Sequence, residues 1–476
     1  MPLTYTKEEW SDMNDAFELV EPYHTPPLDP DFRPAVLANR AFVAAVRESG
    51  MAVPLRIGLE RGDGSISTYD TICYGPHSDQ FAANLMYAER LVKFLLWQRG
   101  GWKVMVGGPA AIGEHIKAVY SPTGARAFDY DFMGGVYEHE FTVEIMVAAD
   151  VPDTRETTMP LGRHLDGNRI GIDLGGSDYK LAAVVNGEAV WADEFPWDPK
   201  TQTDPGYHRE RINAGLKEAA SHLERVDAIG GSAAGVWIND RVLVASLFRG
   251  IPKDVFNAQV KDLFVGIGQE WGVPLTIVND GEVTALAGSM ELNANAVLGI
   301  AMGTSEAAGY VTRDGNITGW LNELAFAPID YAPDAPVDEW SGDIGCGVQY
   351  FNQTGVVRMA EAAGIEFAAG LGLPEKLVVV QKMLEEGDER VVPVYETVGI
   401  WFGYALAHYC DFYDVEHCLI LGRATSGDGG HLIKAQAEKV LEGEFPDLCD
   451  KVTLHLPDES SRRVGQSVAA ASLPAL

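Results

Sequence analysis

Asp173 to Lys180 hold, within eight residues, the side-chain types that a protein needs to grip a chain of phosphates. The apolar run Ile170-Gly171-Ile172 delivers Asp173 to the mouth of a turn. Gly175 and Gly176 let backbone N–H groups approach an anion with no Cβ in the way, while Ser177 and Lys180 add a hydroxyl donor and a point charge. Asp173 can orient Mg²⁺ through the metal's water shell. An ordinary tight hairpin, its Asp and Ser capping their own backbone, accounts for the same residues, so the turn alone leaves both readings open.

Three further segments have chemical content. Leu275 to Val278 reads as a strand and Gly281 to Met290 as a helix, so Asp280 stands at the carboxyl end of a strand, where it can take a proton from an attacking hydroxyl. A helix-capping aspartate is the alternative. Gly303, Thr304 and Ser305 offer backbone N–H groups and two hydroxyls on one short loop, or form a plain strand-to-strand turn. Gly422 and Gly427 permit close backbone approach, whereas a solvated loop explains their neighbours Arg423 and Asp428 equally well.

In this order the segments resemble the ROK family of sugar kinases and repressors, within the actin-like, hexokinase-like and Hsp70-like ATPases. Asp173 to Lys180 is similar to the family's first phosphate motif, and Val278-Asn279-Asp280 to its Asn-Asp catalytic segment. Gly303 to Gly309 resembles the second phosphate loop, Cys418 to Gly427 the adenosine loop, and Gly342-Asp343-Ile344-Gly345-Cys346 the Gly-x-x-Gly-Cys signature. The resemblance covers about residues 168 to 476 and implies a duplicated RNase H-like α/β core with ATP between two lobes. It implies phosphates on Asp173, Gly175, Gly176, Ser177, Lys180, Gly303, Thr304 and Ser305, adenosine beside Gly422 and Gly427, and Mg²⁺ held through water by Asp173. Asp280 is then the general base, and Asn279, Asp280 and Glu323 bind a sugar-like acceptor.

Departures from the family matter as much. ROK kinases commonly carry Glu-x-Gly-His, whose His joins three cysteines of a Cys-x-Cys-Gly-x-x-Gly-Cys pattern on a structural zinc. Here those positions read Glu323-Leu324-Ala325-Phe326 and Glu339-Trp340-Ser341-Gly342-Asp343-Ile344-Gly345-Cys346. One thiolate of a four-ligand set survives, so no structural zinc is expected and Cys346 reads as a small buried hydrophobe. The family's second sugar-binding Glu is Val348 in this chain, which points to a rebuilt acceptor pocket.

The elements that must position these residues follow from hydrophobic pattern. Residues 168–295 read as the first ATPase lobe, with strands at Ile170–Leu174, Leu181–Val185, Ala228–Gly231, Val242–Ala245 and Leu275–Val278 and a helix near Tyr207–Arg225. Residues 296–476 read as the second lobe, opening on the buried strand Ala296–Ile300 and returning toward the first lobe at the C-terminus. The turn-rich stretch Val151 to Arg169 marks a boundary, and residues 1–165 form an appended α/β domain. That domain is expected to hold a hairpin at Pro54–Glu60 and Ser65–Cys73, a helix over Gln80–Arg99, and strands at Trp102–Val106 and Tyr137–Val147. Its first 35 residues, rich in proline, read as an extended arm.

At 476 residues, 46% hydrophobic, the chain has ample core for two or three domains. Five scattered cysteines and no apolar run long enough for a membrane span fit a cytoplasmic protein with reduced thiols. A formal charge of -33 opposes binding to nucleic acid or an anionic membrane. The resemblance thus predicts an ATP- and Mg²⁺-dependent kinase of a small sugar-like molecule, compatible with a homodimer. A noncatalytic sugar sensor or transcriptional regulator and a hydrolytic ATPase are the alternatives. Residues 1 to 165 carry 14 Lys/Arg against 23 Asp/Glu, a poor footprint for DNA.

Overall fold

Prolines at 22, 26, 27, 30 and 34 keep residues 17–34 out of helical conformation. In a computed structural model, which describes residues 17–62, 64–156, 161–457 and 459–476 (459–464 in backbone only), this stretch runs as an arm along the helix Val392–Tyr409. Tyr404 OH accepts from His24 N at 3.0 Å, Thr397 Oγ1 from Leu28 N at 3.2 Å, and the Trp401 indole donates to Asp29 at 3.0 Å. The expected arm from residue 17 onward is therefore docked, while its first 16 residues lie outside the described ones.

The N-terminal domain follows. Helix α1 (Ala35–Glu48), strands β1 (Ala52–Glu60) and β2 (Ile66–Tyr74), α2 (Ala83–Arg99), β3 (Lys103–Gly107), α3 (Ala110–Val119), α4 (Ala127–Tyr137) and β4 (Thr142–Met146) build a sheet of order β2-β1-β3-β4. The hairpin β1–β2 pairs antiparallel from Ala52↔Tyr74 to Glu60↔Ile66. The strand expected over 137–147 is shorter. Tyr137 ends α4, whose Met133 and Val136 are buried, and Glu138 turns into left-handed conformation at φ 55°. Helix α2 is buried on every side, charged residues included, because it lies between this sheet and the second lobe.

In the first lobe β5 (Asn168–Leu174), β6 (Asp178–Val185) and β7 (Glu188–Pro196) form an antiparallel meander. After α5 (Pro205–Ala220), β8 (Ala228–Ala233) runs parallel to β5; the small hairpin β9 (Val236–Ile238) and β10 (Arg241–Val244) and helix α6 (Leu263–Trp271) lead to β11 (Leu275–Asn279), parallel to β8. The order is β11-β8-β5-β6-β7. Helix α7 (Asp280–Leu292) leaves β11 for the second lobe.

That lobe pairs β12 (Val297–Met302) with β13 (Glu306–Val311), then carries α8 (Gln353–Ala362), α9 (Leu373–Glu385), α10 (Val392–Tyr409), β14 (His417–Leu421), α11 (Asp428–Glu444) and β15 (Thr453–His455) in a sheet of order β13-β12-β14-β15. A Cβ on Gly281 or Gly309 would collide with the other's segment, so these glycines let α7 lie backbone to backbone on β13. The C-terminal helix α12 (Glu459–Ala471) then returns onto β5 and β8. Among the described residues no helix is long and apolar enough to cross a membrane.

Candidate active site

Strand register builds the first part of the site. The β5–β6 pairing sets Asp173 opposite Lys180, and the parallel β8 sets Ser232 beside it. Lys180 Nζ lies 3.9 Å from Asp173 Oδ2 and 3.4 Å from Asp178 Oδ1. Burial raises the Asp173 pKa, against the pull of Lys180 and the Ser232 hydrogen bond. Ser177 Oγ donates to Asp178 Oδ2 at 2.8 Å, so its hydroxyl is engaged within the turn.

Two residues of this turn escape sequence reasoning. Trp197 braces it, the indole donating to Gly175 O at 2.8 Å and the backbone N–H to Ser177 O at 3.1 Å. Lys200 hangs over it: a methyl group built on Gly176 would meet Lys200 Nζ at 2.6 Å. A second cation thus overlooks the glycines, and only the path of the chain after β7 brings it there.

Asp280 is the first residue of α7, and its neighbour Asn279 is the cap. Asn279 Oδ1 accepts from Gly281 N at 2.7 Å while its Nδ2 donates to Gly235 O at 2.8 Å. Asn279 thus supplies the side-chain cap of α7. Asp280 also accepts from Gly281 N, at 3.0 Å. Burial and the nearby charge of Asp173 push its pKa up to about 6, offset in part by that N–H. Burial and the charge of Asp280 likewise push Glu323 up to about 7. Asp173, Asp280 and Glu323 therefore share one electrostatic field, although 150 residues separate the first from the last.

Gly303, Thr304 and Ser305 form the β12–β13 turn, closed by Gly303 N donating to Ser305 O at 3.0 Å; both hydroxyl residues are exposed. Gly422 follows β14 at φ 105°, packed so tightly on the Met302 backbone that a Cβ would collide with it. Gly427, at φ 67°, opens α11 with free space around it. The parallel β12–β14 pairing brings these loops to one end of the sheet. A carboxylate beside one lysine, exposed hydroxyls and backbone bared by glycine are a donor set that fits a magnesium nucleotide.

The segment bearing Glu323 is held by the N-terminal domain. The last-turn carbonyls of α2, Trp97 O and Gln98 O, accept from Glu323 N at 2.9 Å and Asn322 N at 2.8 Å. Phe326 stacks on Trp97 at 4.3 Å. Asp343 is gripped by Arg126 at 2.6 Å, Lys93 at 3.0 Å and Arg90 at 3.1 Å, and Cys346 is buried with its thiol 3.7 Å from that carboxylate. Among the described residues no group of three or more His, Cys, Asp or Glu is placed to hold a metal.

No protein-family model and no curated protein matches the chain. Solved structures do share its architecture. A ROK-family transcriptional regulator, a homologue of the E. coli MLC protein, superposes with a TM-score of 0.52 at 17% identity, over 65% of this chain and 79% of that one. A ROK-family glucokinase from Streptomyces griseus, in complex with glucose and AMPPNP, gives 0.48 at 22% identity, over 64% and 99%. ROK hexokinase from Thermus thermophilus gives 0.49 at 18% identity, over 64% and 97%. The chain is thus a two-lobe protein of the actin-like ATPase fold with an appended N-terminal α/β domain. Within that class its fold is like that of the ROK-family regulator.

Proposed function

We propose that this protein is an ATP- and Mg²⁺-dependent phosphotransferase acting on a hydroxyl of a sugar or sugar-like molecule. The observation that carries the reading is that Asp280, held near neutral pKa, stands at the same end of one sheet as Asp173 and its lysine, with β8 between their strands. MgATP, when bound, supplies the phosphoryl group. Asp173 orients the metal's water shell, Lys180 and Lys200 balance phosphate charge, and the turns at Gly175–Ser177 and Gly303–Ser305 donate hydrogen bonds to phosphate oxygens. Gly422 and Gly427 leave room for the nucleoside. Asp280 accepts the proton of the acceptor hydroxyl, and Glu323 orients the acceptor.

The reading is tested by measuring ADP release and phosphorylated product against a panel of sugars, polyols and sugar acids. The kcat/KM should fall as pH drops through about 6, because Asp280 works as a base only when ionised. A sensor that binds the same acceptor without transfer is the competing reading, prompted by the likeness to a transcriptional regulator. Acceptor binding with no ADP released would favour the sensor.

A further inference from the structure

A cavity of about 640 Å³, within the range of small-molecule sites, opens where the N-terminal domain meets the second lobe. Helix α1, strand β2 and helix α2 wall it on one side, and Asp411 and Phe412, in the loop after α10, close the other. It shares no lining residue with the cleft that holds Asp173, Asp280 and Glu323. We propose that this seam is a second small-molecule site, shaped for a carboxylate with an apolar body, and that its occupant tightens the hold of the N-terminal domain on Asn322 and Glu323. Such a site stands apart from the phosphotransferase reading.

The class of ligand follows from which polar groups of the lining are already spent. Arg40 donates to Asp411 from Nε at 3.1 Å and from Nη2 at 2.6 Å, and Asp70 is paired with Arg56 at 3.3 Å. Asn39 donates to Tyr331 OH at 3.2 Å, and the hydroxyls of Thr71 and Tyr87 bond each other at 2.8 Å. Among the described residues two groups of the lining are left without a partner, the Arg47 guanidinium and the Tyr69 hydroxyl. Burial and the Asp411 carboxylate push that hydroxyl up to about 12, so it keeps its proton and can donate. Both free groups are donors and one is a permanent cation, while both carboxylates of the lining are engaged. An anionic acceptor with two oxygens satisfies the pair.

The remaining surface is apolar and stiff. Tyr69 stacks on Phe412 with ring centroids 5.2 Å apart, Phe412 stacks on Phe94 of α2 at 4.0 Å, and Val43, Ile72 and Leu91 offer hydrocarbon beside them. Rings locked in a stack give a planar or branched apolar body a face to bury against. The same loop leads to the cleft. Phe412 O accepts from the Gln98 side chain at 3.1 Å, Gln98 O accepts from Asn322 N at 2.8 Å, and Tyr413 OH donates to Asn322 Oδ1 at 2.9 Å. Asn322, 2% exposed and in left-handed conformation at φ 51°, thus hangs from both sides of the seam. A molecule bridging Arg47 and the Phe412 ring braces that seam.

The test is calorimetric titration of the full chain, without nucleotide, with phenylacetate, indole-3-acetate and isovalerate, beside phenylacetamide as the uncharged match and glucuronate as the polar acid. At least one apolar acid should bind, with phenylacetamide and glucuronate about tenfold weaker or worse. Arg47→Ala should cost the acid about tenfold and Tyr69→Phe about threefold, and Arg47→Lys, which keeps the charge, should lose less than Arg47→Ala. Arg47 is exposed on α1, so its replacement leaves the fold intact. Hydrogen exchange read by mass spectrometry should slow in the peptide spanning Asn322 and Glu323 once the acid saturates the protein. No binding by any apolar acid, equal binding of phenylacetamide, or wild-type affinity in both Arg47→Ala and Tyr69→Phe would overturn the site. Exchange unmoved by a bound acid overturns the coupling alone. Neither readout uses MgATP, so failure of the phosphotransferase reading leaves both results standing.

Discussion

Two of the places where this molecule buries charge do so in opposite ways. Where α2 meets the second lobe, Glu89, Arg90, Lys93, Arg126, Asp129 and Asp343 are each at most 4% exposed, and all are paired. Burial alone would raise the Asp343 pKa, but Arg90 and Lys93 outweigh it and hold the carboxyl below its usual range. In the cleft, Asp280, Glu282, Glu306 and Glu323 have no cationic partner among the described residues, and burial pushes them to about 6, 8, 8 and 7. Paired charges are locked and can only hold structure; unpaired ones keep a proton in play near neutral pH. Desolvation is common to both, so the partner decides between anchoring and chemistry.

The contrast can be broken most sharply at Asp280. Asp280→Asn should lower kcat by about 10² to 10⁴ while nucleotide affinity stays nearly unchanged, since Asn279 caps the helix. Steady-state kinetics and nucleotide titration check this, and a rate above about half of wild type would remove Asp280 from the chemistry. In the paired cluster Asp343→Ala leaves three buried cations to share two carboxylates, Glu89 and Asp129. Its cost should be about 3 to 5 kcal/mol in denaturant unfolding.

A smaller effect of opposite sign is expected at Glu306, 3% exposed, whose Oε1 accepts from Tyr409 OH at 3.3 Å while Oε2 has no partner. A carboxyl raised to about 8 contributes its stability below the unfolded pKa and loses it as pH climbs through the folded one. Glu306→Gln should therefore melt progressively higher than wild type as pH rises from the ordinary carboxylate range toward 8, as pH-dependent calorimetry can test. Smallest of all is the response to chelation. With α2 and its ion pairs holding the segments of Phe326 and Cys346, elemental analysis should find no stoichiometric zinc and EDTA should leave the melting temperature unmoved; one tightly held zinc per chain would break the comparison.

Much of the site's local form was legible from residue types alone. The hairpin around Gly175 and Gly176, Asp280 at a strand-to-helix junction and the glycine turn at Gly422 follow from turn chemistry and strand pattern, which neighbours in sequence fix among themselves. The order of the motifs, through the family resemblance, carried the two-lobe fold. Other features were not written locally. Helix α2, with Glu89, Arg90, Lys93 and Arg99 spaced as on a solvated face, is buried only because Asp343 and Arg126 arrive from elsewhere in the chain to pair with it. Lys200 over Gly176, the capture of Asn279 by Gly235 O, and the seam cavity where Tyr69 meets Phe412 all depend on packing between distant segments. Backbone preference is set by a few adjacent residues. Whether a buried charge is neutralised, and which cavity it lines, is settled only when the chain has closed around it.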